Sequence, residues 1–366
     1  MSGGDTASTR RPPPRVDAVP PVDSPQPARY GLPVMKLGLM LGYWMFGPED
    51  PIDLVLEAER LGYDSVWTAE AYGSDAVSYL SWMGARTTKI KLATGIIQIS
   101  ARTPACVAMT AMTIDHLSKG RLILGLGVSG PQVVEGWYGQ AFPRPMERTR
   151  EYVALLRQMI RREGPVVFEG KQYQLPLRGG SGLGKPLKLI NAPLRTHIPI
   201  YIGAEGPKNI AMVLEIADGW LPLYYSPYRP EVYAESLRDM RPGFEVACPV
   251  TVSVNDDLEA ALQPVKYMLA FYIGGMGAKG KNFHLNLVKR FGFEREADEV
   301  QRLFLEGKRA EAAAAVPDRF ADEISLCGSA ARIKDRAQAW KKSPVTTMLV
   351  GSRDAAAVRI LADALL

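Results

Sequence analysis

The chain has 366 residues, 47% of them hydrophobic, enough for one large core or two smaller ones. Its formal charge of +5 is modest for that length, and no segment interleaves clustered Lys and Arg with aromatics, which argues against a nucleic-acid partner. Three cysteines (Cys106, Cys248, Cys327) and three histidines (His116, His197, His284) stand without paired ligand spacing. Neither a disulfide framework nor a metal centre is expected, and reduced thiols suit a cytoplasmic location.

Residues 1–34 place seven prolines, from Pro12 to Pro27, among small and polar residues, and such a segment reads as a disordered tail. Arg10-Arg11 resembles a twin-arginine signal, but no apolar stretch follows, so neither export nor a membrane partner is expected. Met35 stands immediately before the first apolar run, where translation is expected to begin. Residues 35–366 are then expected to form one domain.

From Met35 a unit repeats: apolar run, loop, amphipathic stretch. Lys36 to Leu41 predicts a first strand, and Pro51 to Leu61 a helix with Leu54, Ala58 and Leu61 on one face. Ser65 to Thr68 and Ala76 to Thr87 repeat the pair, and Lys91 to Gln98 is a third strand in which Gly95 signals a bulge or a closely approached ligand. Pro104 to Leu117 is the third helix, and a fourth strand begins at Leu122. That strand breaks into Gly125-x-Gly127-x-x-Gly130, followed by Pro131 at a helix start.

Downstream, 147–162 is strongly helical, 166–175 reads as a hairpin, and 176–196 is Gly-rich and irregular. A near match to a P-loop, Gly179-x-x-x-x-Gly184-Lys185, fails because Pro186 stands where Ser or Thr would hold magnesium. A fifth strand, Ile198 to Ile202, runs into Gly203-Ala204-Glu205-Gly206-Pro207 and a helix over 208–217, repeating the strand, glycine, proline, helix order. Further strands are expected at 219–223, 245–254 and 346–350, with helices at 230–240 and 354–365, and 255–342 reads as mostly helical. A basic patch at Lys279, Lys281, Lys289 and Arg290 reads as a solvated face.

Eight strands alternating with helices fit an α/β fold, an eight-stranded (β/α)8 TIM barrel with insertions. The glycine fingerprint follows the fourth strand rather than the first, and the acidic residue a dinucleotide fold requires falls at Glu147 or Glu151, within a helix. It is therefore the fourth βα loop of a barrel. Active sites of such barrels lie at the C-terminal strand ends. That rule selects Tyr43 and Trp44 to hold substrate, Glu70 as the acid, and the loops at 127–130 and 203–207 for an anionic ligand with a flat body. The two loops are expected to open side by side, and Asp115 and His116 to lie at the opposite end.

Asp115-x-Leu117-Ser118-x-Gly120-Arg121, with Asp64 to Glu70, Ala93-Thr94-Gly95 and Ile200 to Pro207, resembles the pattern of the luciferase-like monooxygenase family from Met35 onward. The 130–137 and 182–188 stretches are similar to its actinobacterial branch using coenzyme F420, a deazaflavin. The resemblance implies a ring across Gly95 and Ile96, joined by the non-proline cis peptide often found in relatives. It also implies a phosphate near Gly127, Val128, Ser129 and the Gly203 to Pro207 loop (Ala204, Glu205, Gly206). The chain departs from the pattern at Glu70-Ala71, where several relatives have Asp-His, and it lacks their glutamate near Gly130. The expected activity is hydride transfer between coenzyme F420 and a small organic substrate, with Glu70 protonating substrate or orienting a tyrosine. The alternatives are an FMN-dependent monooxygenase and a non-catalytic flavin-binding or deazaflavin-binding protein, and a homodimer is common among relatives.

Overall fold

A computed structural model describes residues 35–45, 47–277 and 282–366. The disordered tail expected at 1–34, and Lys279 and Lys281 of the basic patch, lie outside the described residues. The strands, in chain order, are β1 (Lys36–Gly42), β2 (Ser65–Thr68), β3 (Lys91–Thr94), β4 (Ile97–Gln98), β5 (Leu122–Gly127), β6 (Phe168–Glu169), β7 (Gln174–Leu175), β8 (Ile200–Gly203), β9 (Gly219–Leu221), β10 (Glu245–Val254), β11 (Leu326–Gly328) and β12 (Thr347–Gly351).

The parallel order β10, β12, β1, β2, β3, β5, β8, β9 closes when β9 pairs with β10, giving the expected eight-stranded barrel. Two layers of apolar side chains hold it. Outward-facing strand residues such as Leu37, Val66 and Val250 pack under the helices with Leu80, Leu155 and Leu361. Inside the barrel, Trp67, Ala93, Ile123, Tyr201, Leu221, Ala247 and Leu349 meet, one from each of seven strands, with Met40 of β1 completing the ring.

Local chemistry sets the element ends. Pro104 opens the helix Pro104–Leu117 behind Thr103, whose side chain accepts from the Cys106 N–H. Glu151, on the helix Pro145–Arg161, accepts from the backbone N–H groups of Lys171, Gln172 and Tyr173 and so closes the β6–β7 hairpin.

The structure adds detail to these expectations and departs from some of them. Gly125 and Gly127 belong to β5 itself rather than to a turn after it. The 230–240 helix shortens to Glu231–Ala234, and 255–342 contains a short strand, β11, which pairs outside the barrel on the end of β10. Three residues are too few to show a period of two.

Strand three breaks in the middle. Ala93 opposes Ile123 and Ile97 opposes Leu126, so Thr94, Gly95 and Ile96 face only Leu124 and Gly125, a one-residue bulge. The Thr94 hydroxyl donates to the Gly125 carbonyl (2.9 Å) and accepts from its N–H (2.8 Å). A Cβ on Gly125 would come within 1.7 Å of the Thr94 carbonyl oxygen. No helix among the described residues is long and apolar enough to cross a membrane.

Gly125→Ala must push two barrel strands apart and is expected to cost about 3 kcal/mol in denaturant unfolding, the upper range for overpacking. A cost under about 1 kcal/mol would contradict the contact. Burial pushes the Cys248 and Cys327 thiols up, whereas Cys106 is exposed. A thiol reagent at pH 8 is therefore expected to label one cysteine in the native protein and three after unfolding, and native labelling of Cys248 would overturn that burial.

Candidate active site

At the C-terminal strand ends lies a cavity of about 560 Å³. It brings together most of the residues selected from the sequence: Tyr43, Glu70, Gly95, Ile96, Gly127, Val128, Ser129, Gly203, Ala204, Glu205, Gly206 and Pro207 all line it. Gly127, Gly130 and Gly206 share this one space because β5 and β8 are neighbours in register, Leu126 opposite Ile202. Trp44 is not in the lining. Its ring packs edge-on against Tyr79 at 5.4 Å, behind the wall.

The Gly95–Ile96 bond is cis. The Ile96 side chain lies where a Cβ on Gly127 would meet it at 2.7 Å, and at 3.7 Å from a Cβ on Gly203, so those two glycines let one isoleucine sit beneath both loops. Ser129 takes a positive φ of 60°, turning the chain between β5 and the next helix. The helix Pro207–Ile216 begins with Gly206 as its N-cap, and no side chain caps its first turn. A Cβ on Gly206 would meet nothing within 4 Å. Free N–H groups at the positive end of a ten-residue helix, beside open space, suit an anion.

Glu70 is buried and its carboxylate is fully engaged. Oε1 accepts from the Gln98 N–H at 3.0 Å and from Arg102 Nη1 at 2.5 Å, and Oε2 accepts from the Ala76 N–H at 3.3 Å. The other Arg102 nitrogen pairs with Asp75, and the Arg102 carbonyl accepts from the Tyr152 hydroxyl at 2.9 Å. Gln98 is thereby held by its backbone, and its side-chain amide donates to the Ala71 carbonyl at 3.2 Å while its Oε1 is left buried without a partner. The geometry makes Glu70 a brace for the end of β4.

Much of the far wall comes from residues the sequence did not single out. The helices Leu258–Gly275 and Phe283–Arg290 contribute Tyr272, His284, Asn286 and Arg290. His284 Nδ1 lies 2.8 Å from Glu205 Oε1, an ion-pair distance without hydrogen-bond alignment. The His284 ring stands edge-on to Tyr272 at 5.1 Å, and Arg290 donates to the Glu205 carbonyl. Glu205 Oε2, Arg290 Nη1 and the Tyr224 hydroxyl are buried with no partner. Burial pushes the Tyr43, Tyr224 and Tyr272 hydroxyls above the ordinary tyrosine value, so all three are neutral at pH 7. Arg290, assigned from the sequence to a solvated patch, is a cavity residue, whereas Lys289 pairs outward with Asp298 at 2.6 Å.

Glu70→Ala leaves Arg102 without one of its two carboxylates and the Gln98 N–H without an acceptor. Loss of one partner of a buried pair is expected to cost about 3 kcal/mol. Glu70→Gln, which keeps an acceptor in place, should recover at least half of that in the same unfolding measurement. Equal stability of both variants and the wild type would rule out the bracing role.

Comparison with known proteins agrees with this arrangement. The profile of the luciferase-like monooxygenase family matches residues 32–347. The chain is 49% identical over 340 residues to a candidate coenzyme F420-dependent oxidoreductase of Mycobacterium tuberculosis, covering 90% of this chain and 98% of that protein. It is 28% identical to a 5,10-methylenetetrahydromethanopterin reductase of Archaeoglobus fulgidus, over 81% and 87% of the two chains. Among solved structures, the coenzyme F420-dependent tetrahydromethanopterin reductase of Methanopyrus kandleri superposes with a TM-score of 0.74 at 23% identity, covering 90% of this chain and 98% of that one, which establishes the shared fold. With nearly the whole described barrel inside the matched region, the chain belongs to the luciferase-like monooxygenase family.

Proposed function

We propose that this protein is a coenzyme F420-dependent oxidoreductase that moves hydride between the deazaflavin and a small organic substrate. The observation that carries the reading is the convergence of the β5 and β8 glycine loops on one cavity above Ile96, beside an uncapped helix start. The names of the relatives support the choice of coenzyme F420 over FMN.

The residues present fit such a group. The open space at Gly206 and the N–H groups of the helix behind it suit a phosphate, with Val128 and Ser129 closing the opposite side. Gly95, Ile96 and Met40 form an apolar bed for a flat ring. Glu205 turns its carboxylate toward His284, so its loop can offer its backbone to an anion while the side chain is held aside. When bound, the deazaflavin supplies or accepts a hydride at carbon. The chain's own task is to orient the two partners, exclude water and manage one proton.

Fluorescence titration of the purified protein is expected to show coenzyme F420 binding at least about tenfold more tightly than FMN. Tight FMN binding with none for coenzyme F420 would favour the monooxygenase reading instead. Gly206→Ala should leave the unfolding midpoint unchanged, because its methyl meets no protein atom, yet weaken coenzyme F420 about tenfold. Unchanged affinity would remove the phosphate from this loop.

A further inference from the structure

The chain between the β6–β7 hairpin and β8 crosses the end of the barrel opposite the cavity. Arg195 donates to the carbonyl of Leu122, the first residue of β5, at 2.6 Å, and His116 Nε2 lies 2.9 Å from the Ala192 carbonyl oxygen. Arg162 donates to the carbonyls of Leu189 (2.6 Å) and Ile190 (3.0 Å), and the Val166 N–H donates to that of Leu187 (2.7 Å). The crossing is therefore pinned to the ends of the helices Pro104–Leu117 and Pro145–Arg161 without being helix or strand itself.

Its side chains do not all follow the backbone inward. Leu189 packs against the core, but its neighbour Ile190 is 92% exposed and Leu187 67%. Leu194 is exposed too, and Leu117 (81%) and Val167 stand bare beside His116 and Val166, the residues that hold the crossing. A pinned backbone cannot withdraw these aliphatics from water, and several of them at one barrel end mark a surface that another body covers.

The charge at this end has one sign. Between Glu169 and Glu205 the sequence holds no acidic residue, whereas Lys171, Arg178, Lys185, Lys188 and Arg195 fall in that span. Lys185 and Lys188, on either side of Leu187, are exposed, as is Lys119 in the turn after Leu117. The acids that adjoin the crossing are already used, Asp115 by Arg195 at 2.7 Å and Glu163 by Arg161 at 3.5 Å. A second copy docking through the same face would set lysines against lysines, so the charge calls for an anionic partner. Residues 176–196 contain no Trp, Tyr or Phe. Protein–protein anchors are enriched in Trp, Tyr and Arg, and lysine is depleted there. Aliphatic side chains between lysines suit an anionic lipid surface instead, the former entering the acyl boundary and the latter meeting headgroup phosphates.

We propose that this end of the barrel docks on an anionic lipid surface through Leu187 and Ile190, with Lys185 and Lys188 on the lipid phosphates. The contact is peripheral and needs neither a spanning helix nor an apolar stretch after Arg10-Arg11. The cavity lies at the other end, so docking leaves its mouth uncovered. The inference does not depend on the coenzyme reading.

The test is sedimentation of the whole protein with phosphatidylcholine vesicles, alone and with about 30% phosphatidylglycerol. The anionic vesicles are expected to bind at least about tenfold more tightly than phosphatidylcholine alone, and less so as salt rises from about 0.1 to about 0.5 M. Leu187→Ser with Ile190→Ser should lower that affinity at least about tenfold, and Lys185→Glu with Lys188→Glu should do the same. Both double variants should keep the wild-type unfolding midpoint and coenzyme F420 affinity, because the four side chains face solvent at the end away from the cavity. Equal binding of the wild type to both vesicles, or binding to neither, would overturn the proposal. So would anionic binding that the serine variant leaves unchanged, since positive charge alone would then account for it. A wild-type dimer in light scattering that the serine variant converts to monomer would assign the face to a second copy and overturn lipid as its occupant.

Discussion

The site depends on one close contact, the approach of Gly125 to the Thr94 carbonyl with the Thr94 hydroxyl bonded to both backbone groups of Gly125. Two adjacent parallel strands meet there at a distance that only a glycine permits. Strand three cannot continue in register past that point, so it bulges through Gly95 and Ile96 and resumes as β4. The bulge places the Ile96 side chain beneath the loops that follow β5 and β8. Glu70 then fixes the resumed strand by accepting from the Gln98 N–H, and Arg102 fixes Glu70. A single missing Cβ in the barrel wall thus determines where the cavity floor stands.

The opposite end of the barrel is built on a different principle. Arg121 donates to the carbonyls of Ile90, Gly84 and Thr87, and Asp115, buried, forms a two-pronged pair with Arg195. These charge-assisted bonds satisfy carbonyls at the ends of helices and strands where the chain reverses. Asp115 and Arg121, part of the pattern that resembles the family, lie in this network and do not line the cavity. They identify the scaffold, and activity is specified separately at the other end.

This separation explains what could be read from the sequence. The barrel was legible because its eight strands are apolar runs at regular spacing, and the strand-end rule then selected Tyr43, Glu70 and both glycine loops. Roles were less legible than places. The sequence places Glu70 at a strand end but does not show that Arg102, 32 positions away in the chain, holds it. Trp44 follows a strand end as Tyr43 does, but the turn of the chain sends its ring toward Tyr79. Tyr272, His284 and Arg290 come from helices between the seventh and eighth barrel strands, where periodicity reports only a buried face and says nothing of which cavity that face closes. Orphaned polar atoms at Glu205 and Arg290 are a three-dimensional signal with no counterpart in one dimension.

Such orphans are not confined to the cavity, since Trp44 Nε1, Tyr79 Oη, Gln301 Nε2 and Arg336 Nε are also buried without a partner, but several gather around it. Elsewhere buried ions are matched: Glu323 with Arg229, Asp115 with Arg195, Lys266 with Asp318. Around the cavity, Gln98 Oε1, Glu205 Oε2 and Arg290 Nη1 have no protein partner, and each such group costs about 1 to 3 kcal/mol when left unmet. Several unmet groups around one space give the cavity capacity to bind polar atoms. The unmet groups include donor and acceptor alike, and Met40, Pro249 and Leu223 line the same space, so the cavity suits a ligand with both polar and apolar portions.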